Sequence, residues 1–255
     1  MKHLKSFIKI IFPKKYHNGI FQIYRKIYGL YFVGHRFFCP ICDGHFRKFL
    51  PFGVKSRENA SCPRCNSLER HRLLWLYLKN RTKFFIEDFR VLHVAPMRCL
   101  WEKFRRFKNL DYITADISSR DEMAMVKTNI NDICFRDNQF DCIICYHVLE
   151  HISDDVKAMK ELYRVLKPNG WAILQSGVNK NRDRTFEDYN ITTPRDREKI
   201  FGQKDHCRIY GLDYKERLER SGFTVKPDYY FKELDTGVIK KFRLEDEIIY
   251  FCKKE

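Results

Sequence analysis

"FDCIICYHVLEHISDDVKAMKELYRVLKPNGWAILQ", residues 140–175, decides how the chain is read. It opens on an apolar run, Phe140 to Tyr146, of the length and character of a strand buried on both faces. From Asp154 the spacing changes. Val156, Met159, Leu162 and Leu166 recur at helical intervals, and acids occupy the first turn, where the helix dipole favours them. Lys167 to Gly170 is a proline–glycine turn, and "WAILQ" (171–175) is apolar again. Strand, helix and strand in that order read as α/β.

The alternation continues outward. Upstream, "RVLHVA" (90–95) is a strand running into a helix from about Cys99, and "DYITAD" (111–116) is another strand. Downstream, "LDYKERLERSGF" (212–223) is a helix capped by Asp213, with Glu216 completing the box and Gly222 ending it. "DEIIYFCK" (246–253) is a last strand. The expected architecture is a largely parallel sheet covered on both faces. Ligands of such sheets bind beyond the carboxyl ends of the strands. That rule selects Ala95 to Arg98, Asp116, Tyr146 with His147, and the segment after Gln175. Nucleotide sites normally build the first junction from glycine, yet residues 95–99 are Ala, Pro, Met, Arg and Cys. Asp116 lies about twenty residues beyond it, where a carboxylate can accept both hydroxyl protons of a ribose; the alternative is a cap or loop acid.

Cys39, Cys42, Cys62 and Cys65 form two C-x-x-C pairs separated by nineteen residues. Two tight turns of this kind, facing each other, complete a tetrahedral zinc site with no open position, so the expected metal is structural. Asp43-Gly44 and Asn66 supply turn chemistry after each pair. Cys142 and Cys145 share the spacing but sit inside a strand, where residues three apart face opposite sides; they read as buried small hydrophobes. After the ribbon, "NSLERHRLLWLYLKN" (66–80) reads as a helix capped by Asn66, a strut joining ribbon to core.

At 255 residues the chain holds one full α/β core and a small accessory module. Its net charge of +16 is concentrated at one end: residues 1–38 carry eight Lys/Arg and no acid, whereas residues 91–255 carry thirty basic against twenty-eight acidic groups. Such asymmetry points the N-terminal third at nucleic acid or an anionic membrane, or else leaves it a solvated basic face. Ile8, Ile11 and Phe12 before Pro13, and Ile20, Ile23, Tyr24 and Ile27 after it, could each share a helix face suited to a membrane surface; the alternative is packing on the ribbon or core. No stretch is long enough to span a bilayer, and no signal cleavage site is evident. The expected location is a reducing cytoplasm, with peripheral membrane association through the arm.

The stretches "VLHVAP", "DYITADIS", "TNINDICFRDNQFDCIICYHVLEHISDD" and "ELYRVLKPNGWAILQ" resemble the class I S-adenosylmethionine-dependent methyltransferases, type 11 in particular. The likeness covers about residues 90–253, and with "SLERHRLLWLYL" and the four cysteines it extends to a subgroup carrying an N-terminal zinc ribbon. It implies a Rossmann-like, seven-stranded methyltransferase sheet. The expected organisation is a basic amphipathic arm over 1–38, a zinc ribbon over 39–66, a connecting helix over 67–84 and a methyltransferase domain over 85–255, with a substrate insert at about 177–212. Of the family's D-x-G-x-G-x-G junction, His93, Ala95, Met97 and Cys99 stand where the acid and glycines would be, and Asn129 stands where an acid is common. The resemblance assigns Asp116 to the ribose of S-adenosylmethionine, Asn129 and Ile130 to adenine, and Ala95 and Tyr146 to the methionine end. His147 and His206 are candidate bases for the acceptor, while Glu150 and His151 read as packing and capping. The acceptor is expected to be a small molecule, a sugar or lipid headgroup. RNA is the alternative, as is a non-catalytic binding protein with a degenerate core.

Overall fold

The computed structural model describes residues 14–54, 56–118 and 122–255, which form two compact units. The apolar positions of the arm at Ile8, Ile11 and Phe12 lie outside the described residues. The first unit reaches to Tyr77 and takes back a distant segment, Leu234–Glu245; the second is Leu78–Glu233 with Asp246–Glu255.

In the first unit, helix α1 (Lys14–Leu30) is followed by two antiparallel strand pairs, Val33–Cys39 with Gly44–Phe46 and Leu50–Phe52 with Arg57–Ser61. The face that α1 buries is not the apolar one. Arg25 is buried, donating to Asn66 Oδ1 and the Cys62 carbonyl at 2.7 Å each. Gly29 is backed by Arg64, whose Cβ would lie 3.2 Å from an added methyl group. Ile23, Ile27 and Leu30 stay more than 60% exposed on the other side. Helix α2 (Glu69–Arg81) starts beyond Asn66, whose side chain is committed to Arg25 and Ser61 and does not cap it. Arg72, fully buried on α2, donates to the carbonyls of Ala60, Ser67, Phe242 and Arg243.

The second unit is built on seven strands: β1 (Phe89–Val94), β2 (Leu110–Asp116), β3 (Val126–Lys127), β4 (Phe140–Tyr146), β5 (Leu166–Gln175), β6 (Thr224–Asp228) and β7 (Ile249–Lys253). Their order is β6-β7-β5-β4-β1-β2-β3. β1 to β5 run parallel, while β7 pairs antiparallel with both β5 and β6. β4 and β5 carry the continuous apolar runs expected of strands covered on both faces, with Ile143, Ile144, Ala172 and Ile173 fully buried. Helix α3 (Arg98–Phe104) follows β1. Helix α4 (Asp155–Val165) is capped by Asp154, which accepts from Lys157 N, and buries Ala158, Met159, Leu162 and Val165. The helix stops one residue before Leu166, which opens β5. β3 and β6 escape sequence reading for physical reasons. Two residues carry no periodicity, and Pro227 is tolerated in β6 because that strand is an edge. The order reverses between β1 and β4, and that is where a crevice opens beyond the strand ends.

Candidate functional site

The four cysteines of the first unit converge. Cys39 and Cys65 bring their sulfurs to 3.5 Å, Cys42 and Cys62 to 3.7 Å, and all four lie within 4.8 Å of one another. A disulfide needs about 2.05 Å; sulfurs around one tetrahedral zinc at ~2.3 Å stand about 3.8 Å apart. The spacing therefore fits the metal and not the bond. Asp43 and Asn66, each just past the second cysteine of its pair, have left-handed backbone (φ 52° and 62°), which lets both turns fold their thiols inward. The Ser67 hydroxyl stands 3.2 Å from Cys39 Sγ and 3.3 Å from Cys65 Sγ. Cys142 and Cys145 are fully buried in β4, away from this cluster in sequence and unit.

At the strand ends of the second unit a cleft opens to solvent. Ala95, Asp116, Asn129 and Ile130 all line it, together with Leu92, Val94, Ile133 and Ile152. The four residues come from the ends of β1 and β2 and from the loop after β3. Only the fold brings them together. Ala95 turns out of β1 with φ 48°, its N–H held by the Ala115 carbonyl at 2.8 Å. Asp116 accepts from Ser118 N through Oδ1 at 2.7 Å, an arrangement that tightens the loop and leaves Oδ2 available. Asn129 Oδ1 likewise accepts from Asn131 N at 3.0 Å. Tyr146 does not line the cleft. Its ring is buried and its hydroxyl donates to Glu247 at 2.9 Å.

The next residue, His147, leaves β4 with φ 57° and sits between two carboxylates. Nδ1 is 2.9 Å from Glu150 Oε1 and Nε2 3.2 Å from Glu247 Oε1. Burial pushes the imidazolium down, but the two carboxylates outweigh it and raise the pKa to about 9. Burial in turn works against the Glu150 carboxylate, and His147 with the Ser176 hydroxyl at 2.7 Å holds it down to about 2. His147 is therefore a cation at neutral pH, bound on both nitrogens. His206 differs: burial lowers its pKa, so its ring is neutral and able to accept a proton. It stands edge-on to His151, ring centroids 4.7 Å apart.

His206 is delivered by the 177–212 segment, which contains a helix, Pro194–Phe201, and a short antiparallel pair, Phe186–Glu187 with Arg208–Ile209. Arg208, fully buried, pins the segment to the turn after β4 by donating to the carbonyls of Leu149, Ile152 and Ser153 and to Glu187. Asp155 is held in turn by Arg217 through two bonds of 2.7 Å and by the Tyr210 hydroxyl. Glu247 and Ser176 are the site residues that sequence reasoning missed. Glu247 sits in an acid-rich run, "LEDE", with nothing local to separate it from a solvated loop.

The strand order and the crevice at its reversal define a Rossmann-like methyltransferase fold. The family described as "Methyltransferase domain", type 11, matches residues 98–174. A 2-phytyl-1,4-naphtoquinone methyltransferase of Nostoc sp. is 35% identical over 71 residues, which are 27% of this chain and 31% of that protein. A probable tRNA methyltransferase 9B of Homo sapiens is 36% identical over 74 residues, 28% of this chain and 16% of that protein. The chain thus spans less than a third of the length of these curated relatives. Among solved structures, the [4+2]-cyclase SpnF covers 91% of this chain and 94% of its own, with a TM-score of 0.51 and 14% identity, a likeness of fold alone.

Proposed function

We propose that the protein is an S-adenosylmethionine-dependent methyltransferase of the subgroup with an N-terminal zinc ribbon. The observation that carries this reading is the convergence of Ala95, Asp116, Asn129 and Ile130 on one cleft at the switch point of the sheet. The donor set suits the cofactor: a carboxylate oxygen is left for ribose hydroxyls, Ile130 and Ile133 offer apolar walls to an adenine, and Ala95 is small where the methionine part would pass. S-adenosylmethionine would supply an activated methyl group, and the chain's work is to bind, orient and keep out water. The cation at His147 orients the turn carrying Glu150, with Tyr146 behind it, while His206, when it holds no metal, retains a lone pair for an acceptor proton. The four thiols, spaced for tetrahedral zinc, form a structural centre, which suits a reducing cytoplasm.

For the acceptor, the near-balance of charge over residues 91–255 favours a small molecule, a sugar or lipid headgroup, over RNA. The exposed stripe of Ile23, Ile27 and Leu30, in an arm without a single acid, supports docking on an anionic membrane surface. Among the described residues no helix is long and apolar enough to cross a membrane. The deciding experiment is treatment of cell extract with the protein and isotopically labelled S-adenosylmethionine, followed by mass spectrometry. Calorimetry with the cofactor accompanies it. Absence of heat at millimolar ligand would leave a binding protein with a degenerate core; label in RNA would move the acceptor to that class.

A further inference from the structure

We infer that Glu150, His151 and His206 form a second metal site, for a divalent cation of the manganese, iron, cobalt or zinc kind, beside the cleft. One ligand atom from each lies within 4.8 Å of the other two. Two imidazoles and a carboxylate are the donor set of divalent metals that accept nitrogen and oxygen together, and three protein ligands leave positions open for an oxygen of a second molecule. The soft, closed set of four cysteines belongs to a different metal chemistry and a different unit.

The three groups are held in place as ligands need to be. Glu150 and His151 share the single turn Leu149–His151, and the residues flanking it, Val148 and Ile152, line the cleft. His206 is fastened to that turn by its two successors: Cys207 N donates to the Glu150 carbonyl at 2.8 Å, and Arg208 grips the carbonyls of Leu149 and Ser153. Each ligand candidate on the turn also has the kind of outer contact that fixes a ligating group. The Ser176 hydroxyl and His147 hold the Glu150 oxygens at 2.7 and 2.9 Å, and each oxygen keeps a second lone pair. His151 Nδ1 is 3.3 Å from the Asp205 carbonyl oxygen. An edge-on pair of histidines against a buried carboxylate has no need of such fixing if it only packs.

The test is a titration of the full chain, its cysteine centre intact, with Mn²⁺, which has little affinity for thiolates. The loss of the free-ion paramagnetic resonance signal reads binding without any methyl transfer, so a failure here is separable from a failure of the proposed activity. One Mn²⁺ per chain is expected, with ¹⁴N couplings from imidazole in the pulsed spectrum. His206→Ala, at a half-buried position, should weaken uptake at least about tenfold, and His45→Ala, exposed in the other unit, should not. No uptake of Mn²⁺, Co²⁺ or Zn²⁺ beyond the cysteine centre would overturn the site. So would bound manganese without nitrogen coupling, or equal uptake by His206→Ala and the unaltered chain.

Discussion

Ala95 and His147 leave two neighbouring parallel strands, β1 and β4, and both do so in the left-handed region, with φ 48° and 57°. Side chains other than glycine pay for that backbone by crowding Cβ against the following carbonyl. The glycine-less junction is thus a junction that still has glycine's shape.

Ala95→Gly should therefore raise stability by about 1 kcal/mol, seen as a thermal midpoint ~2–4 °C higher. A lower midpoint would mean that the methyl group's packing against the core outweighs its backbone strain.

Arg208→Ala should cost about 3–5 kcal/mol, because it orphans three turn carbonyls and leaves Glu187 short of a partner. Urea unfolding gives the loss, and limited proteolysis should show earlier cutting within 177–212. Unchanged proteolysis would mean the segment is held by something other than this guanidinium.

Asp116→Ala should weaken S-adenosylmethionine binding more than any other single change in the second unit, each lost ribose bond to the carboxylate being worth about 1.5–3 kcal/mol at most. Calorimetry measures it. Equal affinity in a folded variant would put the ribose elsewhere.

Chain purified without chelator should carry about one thiolate-bound zinc, and Cys39→Ser should lose it and destabilise the first unit. Zinc content that survives the substitution would remove Cys39 from the ligand set.

His93 is fully buried beneath the Ala95 junction, Nδ1 2.6 Å from the Tyr112 hydroxyl, and burial pushes its pKa down to about 3. The unfolded chain binds this proton below its ordinary value of 6.5 and the folded chain does not. Stability is then full above that pH and drains away as pH falls toward 3. His93→Phe should flatten the slope of unfolding free energy across this window; an unaltered slope would shift the acid sensitivity to other groups.

Much of the fold was legible because the buried strands advertise themselves: nothing but a doubly covered strand explains "FDCIICY" followed by the helical stripe of α4. Asp116 was legible by counting from the first junction. Tyr146 shows where counting stops. Its position at a strand end is readable, but the side toward which its hydroxyl turns depends on Glu247, 101 residues further on. The same holds for His147, whose sequence suggests a base and whose two carboxylate neighbours make it a cation. The exposed stripe of α1 was visible as a stripe, but only Arg25 and Gly29, packed on its opposite side, reveal that the apolar face is turned outward.

Arg72 has a consequence in time. Its guanidinium joins the carbonyls of Ala60 and Ser67 to those of Phe242 and Arg243, up to 171 residues away along the chain. At about 5–20 residues per second, a ribosome takes roughly 10–30 s to cross that gap. Throughout that interval half the carbonyl partners of this guanidinium are still unsynthesised. The cysteine unit comes first in the sequence, yet it is among the last parts of the molecule that can finish folding.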